Sequence, residues 1–224
     1  MKLVIGNKNY SSWSFRPWIA MTALDIPFEE ILIPFGSPLG NPDFKTRLAA
    51  YTPAGLVPVL IDGDVHVWET LAIMEYLAEQ FPDKQLWPAD VKARAHARAI
   101  SSEMHAGFGA LRSECPVNFR RPIRERALPE SAQANVRRVD AIWTECRGKY
   151  GGPFLFGKFC AADAMYAPMV ARLNIYGQKV SPEALGYMEA MMALPAWAEW
   201  RKGALAESWI VPEDEADWPT VLTA

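Results

Sequence analysis

Four hydroxyl-bearing residues stand together near the start of the chain: Tyr10, Ser11, Ser12 and Ser14, in the run Tyr10-Ser11-Ser12-Trp13-Ser14-Phe15-Arg16-Pro17-Trp18. The apolar Leu3-Val4-Ile5, closed by Gly6-Asn7, precedes them, and Ile19, Ala20, Met21 and Leu24 follow at helical spacing. This spacing predicts a strand, a polar loop and a helix start bearing serine hydroxyls. A helix N-terminus presents unpaired N–H groups and the positive end of the macrodipole, an environment that favours the ionised form of a bound acid. A serine cluster there either caps the helix or activates a bound nucleophile.

The elements that must position these groups follow in two blocks. Residues 28–33 read as a second strand, residues 35–42 as a Gly/Pro-rich loop, and residues 43–50 as a short helix. Residues 57–61 read as a strand, Asp62-Gly63 as a hairpin turn, and residues 65–68 as the returning strand. Ala72, Ile73, Tyr76, Leu77 and Gln80 trace a helix face that ends at Phe81-Pro82-Asp83. That order makes an α/β unit with a mixed sheet over residues 1–82. Beyond a linker at residues 83–88 the pattern is helical through residues 89–224, with an irregular tail at 211–219. Ala97, Ile100, Met104, Phe108 and Leu111 form the first helical stripe, and Val136, Val139, Trp143 and Cys146 the second. On one long first helix, Ser101, His105 and Arg112 fall together beside Met104 and Phe108. They form either a solvated edge or part of a binding wall.

Bulk properties narrow the chemistry. With 224 residues, 50% of them hydrophobic, the chain can bury one large core or two modest ones. A net charge of -3 and basic residues grouped only in pairs, such as Arg120-Arg121 and Arg137-Arg138, give no footprint for nucleic acid. No apolar run has the length of a membrane span, so no membrane partner is expected. Cys115, Cys146 and Cys160 are odd in number and widely spaced, which predicts reduced thiols and a cytoplasmic setting. His66, His96 and His105 are too dispersed to predict a metal site. Nine Trp and nine Met supply either a bulky core or the lining of a wide apolar pocket.

Three local motifs, in order and at their spacing, resemble the cytosolic glutathione transferases across nearly the whole chain. Ser11-Ser12-Trp13-Ser14-Phe15-Arg16 is similar to the serine-rich motif of the zeta class. Residues 52–60, with Leu56-Val57-Pro58, resemble the family's segment containing a cis-proline, and Glu69-Thr70-Leu71-Ala72-Ile73 resembles its Glu-Ser-Leu-Ala-Ile run. The resemblance implies a thioredoxin-like N-terminal domain, an all-helical C-terminal domain and a homodimer. It also implies a detoxifying conjugation of glutathione, the co-substrate, to a small electrophile, with no metal.

The resemblance also distributes roles. Ser11 or Ser12 would stabilise the glutathione thiolate, Ser11 being preferred, with Ser14 beside them. Val57 would pair with the peptide backbone next to a cis Pro58, as an added strand pairs with a sheet edge. Glu69 and Thr70 would receive the γ-glutamyl end at a helix N-terminus. Met104, His105, Phe108 and Arg112 would border the electrophile. Tyr10 precedes the loop and is assigned to packing, and Cys160-Ala161-Ala162-Asp163 resembles a structural helix start.

Departures from the zeta pattern are specific. Trp13 stands where that class has a cysteine, Leu56 where it has a glutamine, and Ile175 where it has a substrate arginine, with Arg172 nearly one turn earlier. They favour conjugation over one alternative, a glutathione-dependent cis-trans isomerase of the maleylacetoacetate type; the intact serine, Val57-Pro58 and Glu69-Thr70 matches favour it over the other, a non-catalytic binding protein on the same scaffold.

Overall fold

The computed structural model describes residues 1–35 and 42–216. Strand β1 (Lys2–Ile5) begins the sheet, and its Leu3, Val4 and Ile5 are fully buried. Helix α1 (Ser12–Ala23) returns the chain to β2 (Glu29–Leu32), which pairs parallel with β1 from Lys2↔Glu29 to Ile5↔Leu32. After α2 (Pro42–Leu48), β3 (Val59–Asp62) pairs antiparallel with the other edge of β1. The Asp62-Gly63 turn then returns β4 (Val65–Trp68), and α3 (Thr70–Gln80) follows. The sheet order is β2-β1-β3-β4. A parallel βαβ unit continued by an antiparallel hairpin and a helix is the thioredoxin-like arrangement.

Among the described residues no strand of the sheet follows residue 89; helices alternate with irregular segments, the longest running over residues 115–129. The helices are α4 (Val91–Ala106), α5 (Gly109–Glu114), α6 (Glu130–Tyr150), α7 (Ala161–Ile175), α8 (Pro182–Met192) and α9 (Pro195–Ala206). A 3-10 turn, Pro212–Asp214, follows. Helix α7 is the hub: nearly all of its residues are buried, which is why its apolar residues show no one-sided pattern. It packs on α1 from the sheet half and on α4 and α8 from the helical half. Phe15 stacks on Trp200 with ring centroids 4.8 Å apart, and Trp18 meets the same ring edge-on at 5.2 Å. Burying each such ring stabilises the seam between the halves by about 1.5–3 kcal/mol.

The N-terminus of α7 is closed by side-chain hydrogen bonds. Asp163, fully buried, accepts from the Leu155 N–H at 3.0 Å and the Cys160 N–H at 2.9 Å. Burial pushes its carboxyl up to about 6, against the pull of those two donors.

One expectation is corrected. The stripe from Ala97 to Leu111 does not lie on one helix: α4 stops at Ala106, Gly107 is extended, and Phe108 is left-handed with φ 63°. A Cβ on Gly107 would stand 2.7 Å from the Glu103 carbonyl oxygen, so this reversal requires glycine. Smaller differences concern edges: β3 begins at Val59, past the proline, and the tail contains a 3-10 turn where none was expected. Residues 36–41 of the predicted loop and 217–219 of the predicted tail lie outside the described residues.

Candidate active site

Two adjoining cavities, of about 430 and 340 Å³, meet at Trp13, Leu56 and Val57 in the seam between the halves. Glu69, Thr70, Val57, Pro58 and His105 line the larger one; Ser11, Ser12, Arg112, Arg172 and Asp214 line the smaller.

The larger cavity is built on backbone and helix-end groups. The Val57-Pro58 peptide is cis, and neither backbone group of Val57 takes a hydrogen-bond partner among the described residues. Glu69 precedes α3 at φ 70° and ψ 127°, a sparsely populated conformation for a residue with a side chain, and caps nothing. Thr70 is fully buried, yet its hydroxyl has no partner. A buried hydroxyl left unpaired costs about 1–3 kcal/mol, so this corner carries a cost that a bound polar group would remove. His105 reaches in from α4, with Nε2 3.6 Å from Glu69 Oε2. Burial lowers its pKa, Glu69 opposes that shift, and Arg16 and Arg112 add to it.

The smaller cavity is cationic. Ser11 caps α1: its hydroxyl accepts from the Ser14 N–H at 3.3 Å and donates to Ser14 Oγ at 2.7 Å. Ser14, fully buried, in turn accepts from the Gly6 N–H at 3.1 Å, locking the end of β1 to the start of α1. The Ser12 hydroxyl forms no hydrogen bond with a described residue. Two guanidinium groups approach the Trp13 ring, Arg16 at 4.0 Å and Arg112 at 4.9 Å from its centroid, and the Trp13 and His105 rings meet edge-to-face with centroids 5.1 Å apart. Burial, then Arg112 and Arg172, disfavour the charge of Arg16; the group stays protonated, as guanidinium does, and the Trp13 face offsets part of that charge.

The predicted residues separate accordingly. Ser11, Ser12 and Arg112 share the smaller cavity; Val57, Pro58, Glu69, Thr70 and His105 share the larger, with Val57 common to both. Ser14 sits behind the wall as part of the cap. Met104 and Phe108 line neither cavity and are buried in the core, because the break at Gly107 turns Phe108 inward. Arg112 reaches its cavity from α5, folding back to donate to the Met104 and His105 carbonyls. Tyr10 is packed as expected, though its hydroxyl joins a polar network described below. Of the two readings of the tryptophans, Trp18, Trp87, Trp143, Trp197 and Trp200 belong to the core, and Trp13 and Trp68 to the cavity walls.

The sequence reading passed over Asp214, Trp68 and Leu56 as wall residues. Asp214 falls in an acidic, aperiodic tail, where no pattern points inward. The three cysteines are buried and free, and burial raises the Cys115 and Cys146 thiols to about 11 and about 12. Among the described residues no cluster of His, Cys, Asp or Glu is arranged to hold a metal ion, and no helix is long and apolar enough to cross a membrane.

A thioredoxin-like sheet joined to a helical half, with a polar cleft along their seam, is the architecture of the glutathione transferases. The chain belongs to the glutathione S-transferase family: residues 10–80 match the family's N-terminal domain and residues 89–203 its C-terminal domain. Over 102 residues it is 39% identical to a probable maleylacetoacetate isomerase of Caenorhabditis elegans, a match spanning 45% of each chain. It is 31% identical over 174 residues to glutathione S-transferase F14 of Arabidopsis thaliana, spanning 70% of this chain and 67% of that one. Among solved structures, a maleyl pyruvate isomerase described as a bacterial zeta-class glutathione S-transferase superposes with a TM-score of 0.69. That match is at 23% identity and covers 93% of this chain and all of the other.

Proposed function

We propose that this chain binds glutathione along the seam and uses a serine hydroxyl to hold its thiol as thiolate for attack on a small electrophile. The γ-glutamyl carboxylate meets Thr70 Oγ1 and the N-terminus of α3, its ammonium meets Glu69, and the cysteinyl backbone pairs with Val57. The sulfur then points into the cationic cavity. The single observation that carries this reading is the buried, unpaired Thr70 hydroxyl at a helix N-terminus, which a carboxylate satisfies.

Of the two serines, Ser12 is the better donor to sulfur. The Ser11 proton is committed to Ser14, whereas the Ser12 hydroxyl lines the cavity without a partner. The neighbouring guanidinium groups of Arg112 and Arg172 and the α1 N-terminus favour the anion. Ser12→Ala should raise the pKa of bound glutathione, read from thiolate absorbance, and lower kcat/KM roughly 10- to 100-fold. Full activity in the Ser11→Ala/Ser12→Ala double variant would refute the hydroxyl role.

The similarity to the probable maleylacetoacetate isomerase of Caenorhabditis elegans favours a second reading, in which glutathione adds to and leaves a cis-alkene. Consumption of maleylacetone with no loss of glutathione would establish it, and stoichiometric loss of both would establish conjugation. Trp13, which carries no thiol at the position of the zeta-class cysteine, favours conjugation.

A further inference from the structure

The tail brings one more ionisable group to the cleft. Asp214 ends the 3-10 turn, is half-buried, and lines the cavity that holds Ser12, Arg112 and Arg172. The turn is pinned beside it. Tyr10 Oη donates to one Glu215 oxygen at 2.5 Å, Asn118 Nδ2 donates to the other at 2.8 Å, and Arg120 Nη2 donates to Tyr10 Oη at 2.7 Å. Glu207 anchors the same tail by accepting from the Lys8 and Asn9 N–H groups.

Held this firmly, the Asp214 carboxyl still has no hydrogen bond or ion pair with a described residue. The cations that share its cavity bind main-chain carbonyls instead: Arg172 donates to those of Arg112 and Cys115, and Arg112 to those of Met104 and His105. An acid fixed on a stapled turn, lining one cavity with two guanidinium groups and hydrogen-bonded to neither, closes no structural contact with its carboxyl. Its opportunity is chemical.

We propose that Asp214 is a catalytic proton donor, which completes addition of glutathione to alkenes conjugated with a carbonyl group. The inference rests on the glutathione reading above. The thiolate forms the C–S bond at the β-carbon while the C=C electron pair moves to the carbonyl oxygen. The charges of Arg172 and Arg112 stabilise the resulting enolate. Asp214 gives its proton to the α-carbon, and water reprotonates the carboxylate. The thiol proton released to solvent balances that one, so the net change is addition of S–H across the double bond.

Arg172 from α7 and the neighbours Glu213 and Glu215 act on Asp214, and Arg112 from α5 and Tyr10 from the loop before α1 line the same cavity. Burial raises the Asp214 carboxyl to about 6, Arg172 opposes the rise, and the two glutamates add to it. A group poised there is matched to proton donation near neutral pH.

The test compares 4-phenylbut-3-en-2-one, whose adduct needs a proton, with 1-chloro-2,4-dinitrobenzene, which expels chloride and needs none. For wild type, D214N and D214E, kcat/KM is followed across pH, with thermal melts to verify folding. In D214N the enone-to-chloroarene ratio of kcat/KM should fall about 100-fold, and the decline of enone rate above about pH 6 should disappear; D214E should keep that decline. An unchanged ratio in folded D214N, equal losses on both substrates, or a wild type inactive only toward the enone would each overturn the proposal. A wild type that neither binds glutathione nor consumes either electrophile would instead overturn the glutathione reading.

Discussion

Two helix starts in this molecule have opposite characters. At α7, Asp163 satisfies two buried N–H groups, and that corner has no open face. At α3, Glu69 is held at φ 70° without capping anything, and Thr70 keeps a buried hydroxyl unpaired beside a cavity. Both ends offer the same dipole, so the dipole does not distinguish a ligand site from a structural corner. Hydrogen-bond satisfaction does. The first corner stabilises the native state, and the second gives up stability to keep donors free.

Substitutions should sharpen that contrast. Asp163→Ala strips partners from two buried N–H groups, each loss costing about 1–3 kcal/mol. It should destabilise the chain by about 2–6 kcal/mol in denaturant titrations, with glutathione affinity intact in the fraction that folds. Thr70→Val should do the reverse. Losing one hydrogen bond to a carboxylate weakens glutathione binding about 10- to 100-fold by calorimetry, and stability should hold or rise because an unpaired hydroxyl is gone. A Thr70→Val protein as destabilised as Asp163→Ala would break the comparison.

Ser11→Ala tests an intermediate case, a cap on the edge of the cleft. It should cost about 1 kcal/mol of stability, with a smaller kinetic effect than Ser12→Ala. The smallest effect concerns His105, whose pKa is depressed by burial. Its contribution is present above the ordinary histidine value near 6.5 and is lost as pH falls through the lowered one. Stability should therefore decline with acidification across that window, and His105→Asn should flatten the slope.

Much of this was legible in order and spacing. Alternation and turn chemistry marked the hairpin at Asp62-Gly63, and the run from Ala72 to Gln80 marked α3, because local periodicity sets those elements. The walls of the larger cavity were legible through the motif resemblance instead, since Val57-Pro58 and Glu69-Thr70 are short motifs at element ends and periodicity alone assigns them no ligand. Phe108 and Arg112 do not share a helix with His105 as periodicity predicted, since one glycine with a 2.7 Å approach to the Glu103 carbonyl ended the stripe; Arg112 still reaches the cleft, and Phe108 does not. The choice between Ser11 and Ser12 turned on where one hydroxyl proton goes, which residue type cannot encode. Asp214 depended on a contact network spanning almost the whole chain.

That span bears on the order of assembly. Tyr10 and Glu215 are 205 positions apart, so the contact that seats the acidic turn is among the least local in the molecule. Long-range closures are slow compared with helix and hairpin formation. During synthesis, the last residue of the sheet half is added some hundred and thirty residues before Glu215 (about 10 s at usual elongation rates). Throughout that interval one wall of the cleft does not yet exist. The nascent domain therefore has the Glu69-Thr70 corner proposed to hold glutathione well before it has the group proposed to finish the reaction, and the proposed chemistry becomes complete only as the tail docks.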